Sequence, residues 1–407
     1  MKQASDTAIK EGAFPMDKKE VRFISMLSLL FGFTEAFFYY VISSYFAQAV
    51  GPDQVGWFYL GIFGVVFIAL LFLHRILHAL GGSTKAFLFL ILGAFVISSV
   101  LSLLSFGWLS LALVMLLLVM SNVAWVALDV ILEECSEDGV TGRVRGLHLT
   151  IMNAGLLFAP FFSTRTLDSF QYSGIFFGTT LGYGLLFAVS LVLLRNGTHF
   201  SSAKMEVRKA WKKMLGEKNL FHIYSISFSL EFFYIIMLIY SPMYLRSLGM
   251  SWDTIGLLFT VMLLPFVLLQ YPLGLLADKR YGEKEFLILS MGIALLATIA
   301  IVFFSSPSAA FWAVLLFFSR IGAAGIEVLR DAYFYKQIDA NDDDLIAFFR
   351  TARPAANIIG ALLALPLLAF FPLQSVFILA SIVLFFGLFS AFALEDTPSE
   401  SEMARNV

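Results

Sequence analysis

Charge and cysteine are the two things this sequence is short of. Asp, Glu, Lys and Arg make up 14% of its 407 residues, and the mean hydropathy is +0.86. Soluble domains carry about 25% charged residues, so a water-soluble globular enzyme is excluded. The single cysteine, Cys135, leaves no intrachain disulfide and no cysteine-rich metal site. With 29 glycines and 11 prolines, collagen-like and low-complexity chains are excluded as well. There is no Gly-xxxx-Gly-Lys-Ser/Thr phosphate loop, so ATP is not expected to act on it directly. No zinc-type His/Cys cluster and no Ser/His/Asp set can be assembled. The expectation is therefore not an enzyme, with no cofactor and no metal. The net charge of −2 gives no sign of a nucleic-acid partner.

What the sequence has is apolar length. A spanning helix needs roughly 20 mostly apolar residues, because the hydrocarbon core is about 30 Å thick. Twelve segments qualify: 21–49, 54–74, 85–106, 107–133, 145–165, 171–195, 219–245, 253–278, 285–305, 308–336, 350–371 and 373–394. Their runs lack the alternation of a barrel strand, and lipid offers a backbone no partner, so helices are predicted. Residues 1–20 are polar and the first apolar run carries no cleavage signal, so that segment is expected to be retained.

Lys and Arg set the expected orientation. Twenty-three of the 27 fall in the N-terminal segment, the C-terminal tail or the loops after even-numbered segments. Arg165 and Arg246 lie on the other side, and Arg320 and Arg330 lie within a segment. Both termini are therefore expected in the cytoplasm of a multi-pass protein of the inner or plasma membrane. The predicted organisation is a tail at 1–20, a six-helix bundle at 21–195, a linker at 196–218, a second bundle at 219–394 and a tail at 395–407. Within the linker, Val207, Trp211, Met214 and Leu215 form an apolar stripe beside the basic residues Arg208, Lys209, Lys212 and Lys213. That is the pattern of a helix lying on an anionic leaflet.

The halves repeat. Thr34-Glu35-Ala36-Phe37-Phe38-Tyr39 in the first segment matches Leu230-Glu231-Phe232-Phe233-Tyr234 in the seventh. Val55-Gly56 matches Ile255-Gly256, Gly82 matches Gly282, and Leu128-Asp129-Val130 matches Arg330-Asp331-Ala332. Six helices per half, both starting on one side, make parallel repeats about an axis along the membrane normal.

Between segments 8 and 9 stands Gly274-Leu275-Leu276-Ala277-Asp278-Lys279-Arg280-Tyr281-Gly282-Glu283-Lys284. It resembles the signature loop of the major facilitator superfamily, with one extra residue before Gly282 and Glu283 where a basic residue is expected. The resemblance implies an all-α fold of twelve transmembrane helices in two pseudo-symmetric six-helix bundles. It also implies a gating contact, in which Gly274, Asp278, Lys279 and Gly282 work against Arg350 and Arg353 at the start of segment 11. Segment 5 contains Gly155-Leu156-Leu157-Phe158-Ala159-Pro160, similar to the Gly-xxx-Gly-Pro motif of drug–proton antiporters but lacking its second glycine. A packing kink is the plainer reading.

Ionisable groups are costly in a bilayer and normally face a partner or a wet cavity. They occur in segments 1 (Glu35), 4 (Asp129), 7 (Glu231) and 10 (Arg320, Glu327, Arg330, Asp331). Those four segments line the central cavity in the family resembled. Glu35, Glu231, Arg320, Glu327 and Asp129 are therefore the expected substrate and proton-coupling residues. Arg320 and Glu327 share a helix face but stand about 10.5 Å apart along the axis. A substrate, a water, Glu35 or Glu231 is expected to complete Arg320. Asn122, Asn153, Gln270 and Asn357 are further polar candidates. The predicted function is a secondary transporter, expected as a monomer, moving a small-molecule solute with protons through the lipid bilayer. A lipid flippase or a non-transporting receptor on the same fold is the alternative.

Overall fold

The computed structural model describes residues 18–134, 142–194, 207–277, 282–338 and 343–396, and among them there is no strand. The spanning helices are α1 (Lys18–Val50), α2 (Gly56–Leu71), α3 (Ser83–Leu103) and α4 (Trp108–Glu134). A long helical run, Gly142–Leu193, breaks at Gln171, whose φ of 57° and ψ of −162° are non-helical. It supplies α5 (142–170) and α6 (172–193). The second half contains α7 (Lys218–Ser247), α8 (Trp252–Leu276), α9 (Lys284–Phe303), α10 (Ala309–Lys336), α11 (Ala352–Phe370) and α12 (Val376–Ala393). Eleven helical runs are long and apolar enough to cross a membrane, and the break at Gln171 makes twelve spans. Shorter helices cover Leu73–Ala79, Val207–Gly216 and Asp343–Arg350. Arg350 ends the short helix Asp343–Arg350, separated from α11 by Thr351, at the opening of the eleventh apolar span, Phe348–Phe370.

Local chemistry fixes several boundaries. Ser251 Oγ accepts the backbone N–H of Thr254 at 3.2 Å, and Ser308 Oγ that of Phe311 at 3.4 Å, capping α8 and α10. Gly249, at φ 86°, reverses the chain after α7, and the Met250 N–H returns to the Leu245 carbonyl at 3.2 Å. Prolines 160, 242, 265, 272 and 366 lie inside spanning helices. Neighbouring helices make such interruptions tolerable in a membrane.

In the first half, α1 packs on α5 and α6, α3 on α4 and α6, and α2 on α4. In the second, α7 packs on α11 and α12, α8 on α10, and α9 on α10 and α12. The halves meet along two seams, α5 against α8 and α2 against α11. Small residues bring the backbones together. A Cβ on Gly155 would stand 2.1 Å from the Leu29 carbonyl oxygen, and one on Gly322 2.5 Å from both Ser290 O and Ala294 N. Gly322→Val is therefore expected to destabilise the protein by about 1–3 kcal/mol by overpacking α10 on α9. Gly292→Ala, where an added methyl meets nothing within 4 Å, is the neutral control. Melting curves of the two variants in detergent check this.

One end of the bundle carries the short connections around Gly51 and Gly249. The other carries, among the described residues, Lys85, Lys218, Lys284 and Lys336 at helix ends; we call the two the short-loop end and the basic end. At the short-loop end, Arg165 and Asp253 pair across the α5–α8 seam at 3.4 Å, and the Arg165 guanidinium stands 3.6 Å from the Phe161 ring centroid.

Candidate functional site: a charged interior shared by two bundles

The charged residues of α1, α7 and α10 that sequence singles out lie in the interior, in separate arrangements. Glu231, only 5% exposed, lies between two arginines. Arg330 Nη2 donates to its Oε1 at 2.9 Å, and Arg353 Nε donates to its Oε2 at 3.0 Å. Arg330 is further held by Ser227, donating to its Oγ at 2.9 Å and its carbonyl at 3.3 Å, and Asp331 lies 3.5 Å away. The Arg353 side chain is 57% exposed although it grips a buried glutamate inside the bundle. A guanidinium in that position borders water rather than acyl chains.

Glu35 is held by neutral donors from α4. Ser121 Oγ donates to Oε1 at 2.9 Å, and Trp125 Nε1 donates to Oε2. The Trp125 ring stacks on Phe31 at 4.4 Å, which fixes the indole for that bond. Arg353 lies within electrostatic reach of Glu35 across the two halves.

Glu327 also has neutral support, again spanning the halves. Gln270 Nε2 on α8 donates to Glu327 Oε2 at 2.6 Å, and Asn153 Nδ2 on α5 donates to Gln270 Oε1 at 3.1 Å. All three side chains are buried. Such a chain of amides costs little only while every member is satisfied.

Arg320 is the exception. It is 5% exposed, yet its Nε and Nη1 have no hydrogen-bond partner, and among the described residues it forms no ion pair. Its guanidinium lies over Phe233, 5.0 Å from the ring centroid, and beside Tyr234 at 5.8 Å. Its electrostatic neighbours are Tyr234, Tyr40 and Glu327. Neither Glu35 nor Glu231, the two carboxylates expected to complete it, does so. Both are bonded elsewhere.

The expected gating set divides. Gly274 is buried in the last turn of α8, while Asp278 and Lys279 lie outside the described residues. Gly282 has φ 73° and its N–H returns to the Ala277 carbonyl at 3.1 Å. Glu283, the departure from the signature pattern, is fully buried and accepts a hydrogen bond from Lys336 on α10. Arg353 is occupied by Glu231. Asp129 lies in α4, and its side chain is outside the described residues.

Sequence reasoning missed Ser121, Trp125 and Ser227. Ser121 and Trp125 stand four residues apart in an apolar helix, so both face α1, but an indole counts as apolar in any hydropathy scan. It named Asn153 and Gln270 without joining them.

Two bundles in contact along paired seams, with Glu231, Arg320, Glu327 and Arg330 buried within the spans, have the architecture of a membrane transporter. The Major Facilitator Superfamily profile matches residues 24–255 and again 232–406, and the chain belongs to that family, as a multi-pass membrane transporter. The double match restates the half-repeat. Comparison with curated proteins gives no match.

Proposed function

We propose that the protein is a secondary transporter that carries a small solute by alternating access and couples the movement to protons. Its termini lie on the cytoplasmic side of a plasma or inner membrane, and the Val207–Gly216 helix rests on the inner leaflet. Trp211 and Leu215, each about half exposed, support that last assignment beside Lys212 and Lys213, whereas Met214 of the expected stripe is buried in the protein and Trp211 also meets the Phe348 ring at 5.4 Å.

The observation that carries the reading is the chain Asn153–Gln270–Glu327, because it makes a contact between the halves depend on one carboxyl group. As a carboxylate, Glu327 accepts from the Gln270 amide, leaving the Gln270 oxygen for Asn153. A protonated Glu327 becomes a donor. Its other oxygen still accepts from Gln270, but without the charge that strengthens the bond, so protonation weakens the chain that joins the halves. The charges around Glu327 are Arg330, Glu231, Asp331 and Arg353, and Arg320 and Tyr234 also lie within its electrostatic reach. Glu231 is matched by two guanidiniums, whereas Glu35 and Glu327 have neutral donors alone. These two are the ones placed to trade a proton.

Proteoliposomes loaded with a pH dye test the proposal. A panel of sugars, amino acids, organic cations and organic acids is added, and solute-induced proton movement is followed. Wild type is expected to move protons with at least one solute, and Glu327→Gln to move solute without them. Unchanged coupling in Glu35→Gln, Glu231→Gln and Glu327→Gln alike would sink it.

A further inference from the structure

The geometry points to Arg320 as the binding site for a single carboxylate on a small aromatic or similarly flat apolar body, which makes the solute a monocarboxylic acid. This inference rests on the transporter reading and narrows its substrate class.

Most of the interior charges match. Glu231 and Asp331 are set against Arg330 and Arg353, two acids to two bases. Of the charges on the inner face of α10, that leaves Glu327, which leans on Gln270, and Arg320, which leans on rings. A guanidinium buried to 5% with Nε and Nη1 both unpartnered is costly to hold, and an anion offsets the cost most directly. Glu327 on the same face is an acid held by a neutral donor, so the place beside Arg320 takes one added negative charge and no more. A doubly charged phosphate would leave an unpaired negative charge in the same low-dielectric place.

The surroundings set the rest of the ligand. The Tyr234 hydroxyl is also buried without a partner, and it supplies a second donor beside Arg320. Phe233 and Tyr234 from α7 present ring surfaces, and Tyr40 reaches Arg320's field from α1 in the other half. The Tyr40 ring stands 5.5 Å from Phe259 of α8. A ligand on Arg320 therefore meets residues of both halves, and its body meets the faces of Phe233, Tyr234 and Tyr40. A sugar, which needs many polar partners, is poorly served there.

Thermal unfolding of the purified full-length protein in detergent, with a charge series of similar shape, tests the assignment. The probes are benzoate, benzamide and benzylammonium at equal millimolar concentration. Benzoate is expected to raise the melting temperature of wild type by about 2 °C or more, and the other two to leave it unchanged. Arg320→Gln is expected to lose the benzoate response. Tyr234→Phe keeps the ring and the fold, and is expected to need several-fold more benzoate for the same shift. The inference is overturned if benzamide or benzylammonium matches benzoate, if benzoate gives no shift, or if both variants respond as wild type. Solute-linked proton movement with a sugar or a cation in the liposome assay would then leave the transporter reading standing without this substrate class.

Discussion

Glu231→Ala is expected to destabilise the protein by about 3–5 kcal/mol, the cost of leaving buried charges without their partner. Two guanidiniums converge on this carboxylate, at 2.9 Å and 3.0 Å, and its removal strands both. They are stranded unequally. The Arg330 side chain is 9% exposed and that of Arg353 57% exposed. Water can take over the solvation of Arg353, but Arg330 keeps only Ser227 and Asp331. Arg330→Ala is accordingly expected to approach the cost of Glu231→Ala, and Arg353→Ala to cost well under half of it. The double variant Glu231→Gln/Arg330→Met removes a charge of each sign and keeps the volume. It is expected to recover most of the lost stability, since buried pairs replaced by neutral groups of similar size are often tolerated. Melting temperatures of the four variants in one detergent give the order. Equal losses for Arg330→Ala and Arg353→Ala would show that the pair is not divided between a dry and a wet arginine.

The twelve spans are legible because length and apolarity are the two quantities a bilayer demands, and both are properties of the string. The interior charges are legible for the matching reason: an ionisable group in oil is too costly to be incidental. Their pairing is not. A position at the opening of a helix points Arg353 toward the loop at the basic end, yet a long side chain can lie back along its own helix and place its head a turn or more away. The Arg353 guanidinium reaches Glu231, 122 residues away, while Asp278, its expected partner in the gate, lies outside the described residues. Gln270 and Asn153 carry no charge, so their cost does not single them out, and only the packing of α5 on α8 joins them. Arg320 is expected from sequence to be completed by a substrate, a water, Glu35 or Glu231. Nothing in the string says that Trp125 and Ser121 satisfy the first and two arginines the second.

Cross-linking the α5–α8 seam at the short-loop end is expected to stop transport almost completely. A Cβ on Gly256 would lie 3.0 Å from Thr164 Cβ, and a disulfide places its two Cβ atoms about 3.8 Å apart. A separation of under an ångström between α5 and α8 then suffices to form the bond. Cysteines at both positions, in a Cys135→Ser background, are therefore expected to oxidise readily. This end is already closed by several contacts across the halves. Arg165 pairs with Asp253, and a Cβ on Gly56 would lie 3.0 Å from Leu365 and 3.3 Å from the Tyr240 hydroxyl. The exposed ion pair alone is worth at most about 1 kcal/mol, so it cannot hold the end shut against a solute-driven opening, whereas a covalent bond can. Under alternating access the seam must part once per cycle. The oxidised protein is expected to show almost no uptake, with recovery after reduction and no effect of oxidant on the cysteine-free parent. The locked form leaves the Arg353 side chain as exposed as before, 57%. Solute binding, read as a rise in melting temperature, should therefore survive the cross-link that abolishes transport. Full uptake by the cross-linked protein would show that this seam does not open, and that the halves do not rock about the charged interior.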